Sequence, residues 1–392
     1  MLLSLGLRLV FSLYYSYNFT KVKLYPMRIL IIFIVLITSS CVKYSRDPME
    51  TVDMKVDPDQ TLEYLQDLES DYPNEPQLYY QLARTYYQKD NYAAADNNIK
   101  KAIKLTEENP DYYYLEGKIQ QKLNHAEKAI KSLLTAEALG MKSFDLYKIL
   151  AQEYLDQGLA DKAKSSVDRL LQLEQTGEGY RLKGDVMLIM EDTTDAIKNY
   201  DKALQVDSKE DAAHLKLYEI YARQELYNKA EYHIDKLLQI APEEPNYIEN
   251  KADLLSNTNR LDTAKMLYQE LVAVRGELKD LYNLANTFYK MNEYDSAEQV
   301  SRKAYEEDNN FLAARLITAR SLDKQRQYQL AIETYEEILK KDSTNNLAQT
   351  ELEVLQRKVA YLWRLQQEKT SQEATGENSP AAVEKKDVTI EE

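Results

Sequence analysis

One cysteine in 392 residues excludes a disulfide framework and any zinc site built on cysteines. Three histidines leave little for a metal centre. Glycine and proline number nine each, far below the average shares of about 7% and 5%. Sandwiches, barrels and doubly wound sheets turn on those residues, so such folds are excluded. Basic residues are outnumbered, 50 against 65 acidic, and a net charge of -15 repels phosphate backbones, which argues against nucleic acid as a partner. The aromatic content is also lopsided, with 32 Tyr against 6 Phe and 1 Trp. Tyrosine keeps a polar hydroxyl on an apolar ring and suits half-buried surfaces.

The first 46 residues carry no Asp or Glu, whereas Arg8, Lys21, Lys23, Arg28, Lys43 and Arg46 are cationic. Within this stretch Met27 and Arg28 precede nine apolar residues, Ile29 to Ile37. At 1.5 Å per residue that run measures about 14 Å, too short for a hydrocarbon layer of about 30 Å. It matches the apolar region of an export signal. Thr38, Ser39 and Ser40 follow, and then the sole cysteine, Cys41. Small residues before a cysteine resemble the lipobox of bacterial lipoproteins, although Thr38 stands where that family prefers an aliphatic residue. The resemblance implies cleavage before Cys41 and lipidation of its thiol. Val42 after the cysteine, by the enterobacterial sorting rule, favours the outer membrane. Residues 1–40 are thus expected to be a signal peptide, with Met27 as the true start, and 41–58 a lipidated tether. The alternatives are an uncleaved N-terminal anchor, or a core segment with an ordinary buried thiol.

The remainder is periodic. Ala95, Ala129, Ala163, Ala196, Ala230, Ala264, Ala297 and Ala331 recur at intervals of 33 or 34 residues. Twelve residues before each stand Ala83, Gly117, Ala151, Gly184, Tyr218, Ala252, Ala285 and Ala319, all small except Tyr218. Two small residues at this offset let two antiparallel helices approach at one crossing point. Apolar residues four and seven after the alanine, such as Ile99/Ala102, Leu133/Ala136, Tyr200/Ala203 and Tyr335/Ile338, complete a helical stripe. Polar turns such as Lys89–Asn91 divide the helices, and Pro110, Pro242 and Pro245 fall between repeats, where proline does no harm.

This pattern resembles the tetratricopeptide repeat, a 34-residue helix–turn–helix, over 76–343. The Tyr-x-x-Ala opening of the second helix appears at Tyr92, Tyr227, Tyr294 and Tyr328, and Tyr79, Tyr113, Tyr147 and Tyr180 stand where the family often has Trp. The resemblance implies an all-α fold, an α-solenoid superhelix of eight repeats. In the same register, 59–75 reads as a half repeat before the first full one and 344–367 as a capping helix after the last. Such caps cover faces that a solenoid would otherwise expose. The polar segment 368–392 is expected to be disordered.

No nucleophile elbow, phosphate-binding loop or His-Glu-x-x-His motif occurs. His125, His214 and His233 lack ligand spacing and are expected to be structural. The expectation is therefore a non-enzyme without cofactor, metal or small-molecule substrate, whose partner is a protein or peptide. A non-catalytic docking subunit of an enzyme complex, or a membrane-anchored regulatory or chaperone-like protein, are the other readings. In the repeat family the first helix of each pair lines a concave groove. Carried over by register, the first two repeats place Tyr80, Arg84, Tyr87, Tyr114, Lys118 and Lys122 there. Repeats seven and eight place Tyr282, Asn286, Tyr289, Lys290, Arg320 and Lys324. Between them stand Asp185, Glu219, Glu249 and Asp253. The expected groove is basic and aromatic at both ends and acidic in the middle, with an acidic segment as ligand of the first two repeats.

Overall fold

A computed structural model describes residues 57–375. The expected signal peptide, Cys41 and residues 376–392 lie outside the described residues. Among the described residues there are eighteen helices and no strand. The chain divides into two compact units, Met1–Glu153 and Tyr154–Glu392.

The first unit holds α1 (Pro58–Glu69), α2 (Pro76–Gln88), α3 (Tyr92–Leu105), α4 (Pro110–Lys122) and α5 (Ala126–Ala138). The division point falls inside α6 (Phe144–Asp156). The second unit continues with α7 (Ala160–Leu173), α8 (Gly177–Ile189), α9 (Thr193–Val206), α10 (Asp211–Arg223), α11 (Tyr227–Ile240) and α12 (Pro245–Asn257). It ends with α13 (Leu261–Val274), α14 (Leu278–Lys290), α15 (Tyr294–Glu307), α16 (Leu312–Lys324), α17 (Tyr328–Lys341) and α18 (Asn346–Thr375).

Local chemistry sets the boundaries. Proline occupies the first turn of α1, α2, α4 and α12, where its missing N–H is no loss. The Asn91 side chain accepts from the Ala94 amide, Thr176 from Gly179 and Asp192 from Asp195, satisfying first-turn donors. The turn inside each helix pair takes one form throughout. Asp90, Asn124, Gly158, Glu191, Glu225, Asn259, Asn292 and Arg326 all have φ between 57° and 68°. The next amide then donates five residues back, as from Asn91 to Tyr86, His125 to Gln120 and Leu226 to Tyr221, each at 2.9 Å. This is the 6→1 bond of a Schellman motif, which needs a left-handed residue at that point. The turn recurs with the same 33- or 34-residue spacing as the alanines.

The crossing points follow the small residues. In the first unit Ala83, Ala95 and Ala129 are completely buried. A Cβ on Gly117 would stand 2.6 Å from Leu133 Cγ, so glycine is required by packing there. In the second unit a Cβ on Gly184 would stand 2.5 Å from the Tyr200 ring. Tyr218, the exception in the pattern, is buried, and its hydroxyl donates to the Asn250 carbonyl of α12 at 2.9 Å. Leu65, Leu78, Leu82, Ile99 and Ile119 form the core of α1 to α4, so α1 covers the first pair. Ala319, Leu322, Tyr335, Ile338, Leu352 and Leu355 form the core of α16 to α18.

The last helix departs from expectation. Residues 368–375, assigned to a disordered tail, are helical and prolong the cap beyond 367. Strong helix formers continue through Gln367, Glu368 and Lys369, and the first breaker is Gly376.

Candidate interaction surface

The clearest assembly of sequence-selected residues lies on α2 and α4. Tyr80, Arg84 and Tyr87 recur at four and then three residues, so they share one side of α2. Tyr114, Lys118 and Lys122 recur every four residues on α4 and also share one side. The Tyr80 ring packs on Tyr112 of α4 with centroids 5.0 Å apart. The Arg84 guanidinium sits 5.7 Å from the Tyr80 centroid and hydrogen-bonds Gln81 at 3.4 Å. The Lys118 ammonium lies 5.2 Å from the Tyr87 ring and 5.6 Å from Tyr114, bridging the two helices. These are cation–π distances. Lys122 is exposed at the end of α4.

Electrostatics distinguish this cluster from its surroundings. Burial pushes the Tyr80 and Tyr87 phenols above their ordinary range. Burial, with Asp145 and the neighbouring tyrosines, pushes Tyr114 up to about 12. All three are neutral hydroxyls near pH 7. Nearby cations of the first unit are paired: Lys89 with Asp59, Lys100 with Asp96 and Lys101 with Glu69. Among the described residues no carboxylate pairs with Arg84, Lys118 or Lys122.

The acidic positions of the middle repeats are occupied internally. Asp185 accepts from Arg181 at 2.6 Å and from the Tyr200 hydroxyl at 2.7 Å. Asp253 accepts from the Tyr268 hydroxyl, and Glu219 pairs with Lys216. Glu249 pairs with Arg275 and Lys279. Burial raises its carboxyl, but the two cations pull it below its usual range overall. Burial raises Asp253, only partly offset by Tyr268.

The C-terminal positions do not match the N-terminal ones. Arg320 makes a two-pronged contact with Glu351 of α18, at 2.6 to 3.1 Å, and Tyr335 donates to the same carboxylate at 3.0 Å. Lys290 donates to Ser256 at 2.9 Å. Tyr282 packs on Phe311 and Tyr289 on Tyr294. Asn286 is half-buried and Lys324 exposed. Of the C-terminal cations, Arg320 takes a carboxylate from the capping helix, whereas Lys290 and Lys324, like the α2–α4 cations, pair with none among the described residues. The register placed a cap after repeat eight but did not say that its sixth residue, Glu351, reaches back to Arg320 of α16.

Sequence reasoning also missed one pairing. His214 on α10 and His233 on α11 are buried, with their Nδ1 atoms 2.9 Å apart. Burial, and then His214, depress His233 to about 4, and burial lowers His214 as well. Their 19-residue separation, one on each helix of the same pair, was the available signal. Among the described residues no cluster of three or more His, Cys, Asp or Glu is placed to hold a metal ion.

Comparisons with known proteins agree with the repeat reading. Family models described as tetratricopeptide repeat match residues 76–109 and 182–245. A model described as anaphase-promoting complex, cyclosome, subunit 3 matches 257–338. Tetratricopeptide repeats are thus present in both units, and repeats of this kind serve protein–protein interaction. The tetratricopeptide repeat protein 21 homologs of Caenorhabditis briggsae and Caenorhabditis elegans are 33% and 32% identical over 108 residues, 27% of this chain. The chain spans 8% of the length of these curated relatives. Among solved structures, PilF of Pseudomonas aeruginosa is similar at 17% identity and a TM-score of 0.45, over 56% of this chain and 96% of that one. A tetratricopeptide repeat protein of Parabacteroides merdae is similar at 19% identity and a TM-score of 0.44, over 67% and 99%.

Proposed function

We propose that this chain is a non-catalytic scaffold that binds an extended acidic segment of a partner protein on the α2–α4 face. Its station is the bacterial envelope, held by a lipid on Cys41 after removal of residues 1–40, with the outer membrane as the favoured site. One observation carries the binding reading. Arg84 and Lys118 stand on tyrosine faces without a carboxylate, in a chain whose net charge is -15. Other lysines also stand on tyrosine faces, as Lys202 on Tyr180 and Lys229 on Tyr221 do, but on α2 and α4 two such cations and three tyrosines are gathered. Incoming carboxylates meet cations already stripped of part of their water by the rings, with neutral phenols beside them as donors. Hydrogen bonds to charged groups contribute about 1.5–3 kcal/mol each. Tyrosine and arginine are also the residue types that dominate interface energetics.

The test is a paired capture from detergent-solubilised envelopes. One bait is the wild type, the other carries Arg84→Ala, Tyr87→Ala and Lys118→Ala with unchanged helicity. A protein retained by the wild type alone, and released by salt, supports the reading. Identical captured sets overturn it. The mass of the mature chain tests the anchor separately: a lipidated N-terminal Cys41 supports it, and an intact N-terminal segment overturns it.

A further inference from the structure

In the fifth repeat a histidine, His214, stands where the first four repeats have tyrosine. In the first repeat that position is Tyr79, whose hydroxyl donates to the Pro73 carbonyl, six residues back, at 3.0 Å. Lys101 stands 4.8 Å from the centre of the Tyr79 ring and pairs with Glu69 at 2.9 Å. The same register in the fifth repeat holds His214, Ser208, Lys236 and Leu204. An imidazole is shorter than a phenol. Its Nε2 comes only to 3.4 Å from the Ser208 carbonyl, beyond the usual range of about 2.7–3.2 Å. Leu204 has no carboxylate to offer Lys236. Among these residues, between α9, α10 and α11, lies a cavity of about 460 Å³.

The lining is cationic and apolar. Lys209 and Lys236 contribute to it and no carboxylate does, in a chain of net charge -15. Lys236 donates to the Gln239 amide oxygen at 3.3 Å, and neither lysine pairs with a carboxylate among the described residues. The nearby acids are outside the lining. Asp207 accepts from the Lys209 backbone amide at 2.9 Å, Asp235 pairs with Lys251, and Asp211 acts on His214 from further off. His214 is the one buried residue of the lining, at 4% exposure, and forms its floor. His233 engages its Nδ1 at 2.9 Å, which leaves Nε2 for the cavity. Leu204, Tyr232 and Ile240 supply apolar wall. This volume, with apolar walls and a few convergent polar groups, has the properties of a small-ligand site.

We propose that this cavity binds a small organic anion, a carboxylate or phosphate monoester with an apolar body. Lys209 and Lys236 hold the charged group, and the buried His214 donates to it through Nε2–H. Leu204, Tyr232 and Ile240 cover the apolar part. Hydrogen bonds from ammonium groups to an anion are about twice as strong as those between neutral groups, so a neutral analogue is disfavoured. The site lies in the second unit and does not rest on the α2–α4 reading.

The histidines are the probe, because the chain has three and His125 lies in the first unit. Imidazole NMR signals of the full chain are followed as phenyl phosphate, benzoate or phenol is added, and His125→Gln identifies the remote signal. The expected result is saturable movement of the His214 and His233 signals with phenyl phosphate or benzoate. Phenol should leave them in place, and the His125 signal should not move. The tighter of the two anions names the head group. Lys209→Gln and Lys236→Gln keep a long polar side chain and should each weaken binding about tenfold, the equivalent of about 1.4 kcal/mol. Leu204→Glu restores the carboxylate that Lys101 has in the first repeat and should abolish binding by occupying Lys236. Unchanged melting temperatures show that the variants are folded. Two buried histidines unmoved by both anions overturn the proposal. Equal binding of phenol, or unchanged affinity in both lysine variants, overturns it as well. Movement of all three signals together is association without a site and overturns it too.

Discussion

His214 and His233 share one proton between their Nδ1 atoms across a gap of 2.9 Å. The direction of that bond follows from the neighbour on the other side. Nε2 of His214 faces the Ser208 carbonyl at 3.4 Å, which only accepts. His214 therefore carries its hydrogen on Nε2, and His233 donates through Nδ1. Protonating the acceptor would set two N–H groups against each other in a buried site.

The pair should make the second unit acid-sensitive. Asp211 opposes the depression of His214, whereas Lys236 reinforces it, and Tyr221 and Tyr232 flank His233 without charge. Both imidazoles bind a proton less readily folded than unfolded. Their contribution is complete above the unfolded value near 6.5 and is lost as pH falls toward about 4. For His233 the loss reaches about 3 kcal/mol, taking 1.36 kcal/mol per unit. His233→Gln, which keeps an N–H donor, should flatten the melting temperature between pH 6.5 and 4. Thermal melts across that range, wild type against variant, check it.

A methyl group at position 184 should be costly. The Tyr200 ring that it would strike is completely buried, and its hydroxyl is held by Asp185. The ring cannot retreat without releasing that bond. Gly184→Ala is expected to lower stability by about 1–3 kcal/mol, the usual cost of overpacking. Tyr200→Phe should cost less, about 1 kcal/mol, because Asp185 keeps Arg181. Urea midpoints of the two variants, compared at equal m-values, decide the order.

The left-handed turn residues should respond in the opposite sense. Glu191 and Glu225 hold φ of 61° and 57° with a full side chain. A left-handed residue with a Cβ costs about 1–2 kcal/mol, which glycine avoids at some expense in unfolded-chain entropy. Glu225→Gly should therefore raise stability by about 0.5–1 kcal/mol, and Gly158→Ala should lower it by a similar amount. Calorimetric melting temperatures test both.

Glu351 serves two partners, Arg320 and Tyr335. Glu351→Ala leaves a partly buried guanidinium unpaired and should cost about 1–3 kcal/mol. The loss should appear locally, as faster amide exchange in residues 346–356 and unchanged exchange in α2 to α4. Uniformly faster exchange would contradict the assignment of this pair to docking of the last helix.

The repeat register was legible because its signal is steric and recurs. Ala95 and its successors are completely buried where two helices of a pair meet. The boundary at Pro110 was legible for a local reason, because a proline there falls between repeats. The tyrosine-and-cation cluster on α2 and α4 was foreshadowed by the resemblance to the repeat family, whose groove positions were carried over by register. Pairings that depend on side-chain reach were not legible. Glu351 to Arg320 spans 31 residues, and nothing in either neighbourhood marks the other. His214 and His233 required knowing which rotamers meet inside a pair. The end of α18 was misplaced because polarity was taken for disorder, while helix propensity continues to Gly376.

The turn built around the left-handed residue has an evolutionary reading. Each pair closes with its own backbone, through bonds such as Asn91 to Tyr86, and borrows nothing from the pair before or after it. Each helix pair with its turn is therefore a module that closes on itself. Gene duplication or loss of 33 or 34 codons would add or remove a whole module without opening a loop. Length in this architecture is a quantity that selection adjusts in whole steps, and the two ends, α1 and α18, are what must stay fixed while the number between them changes.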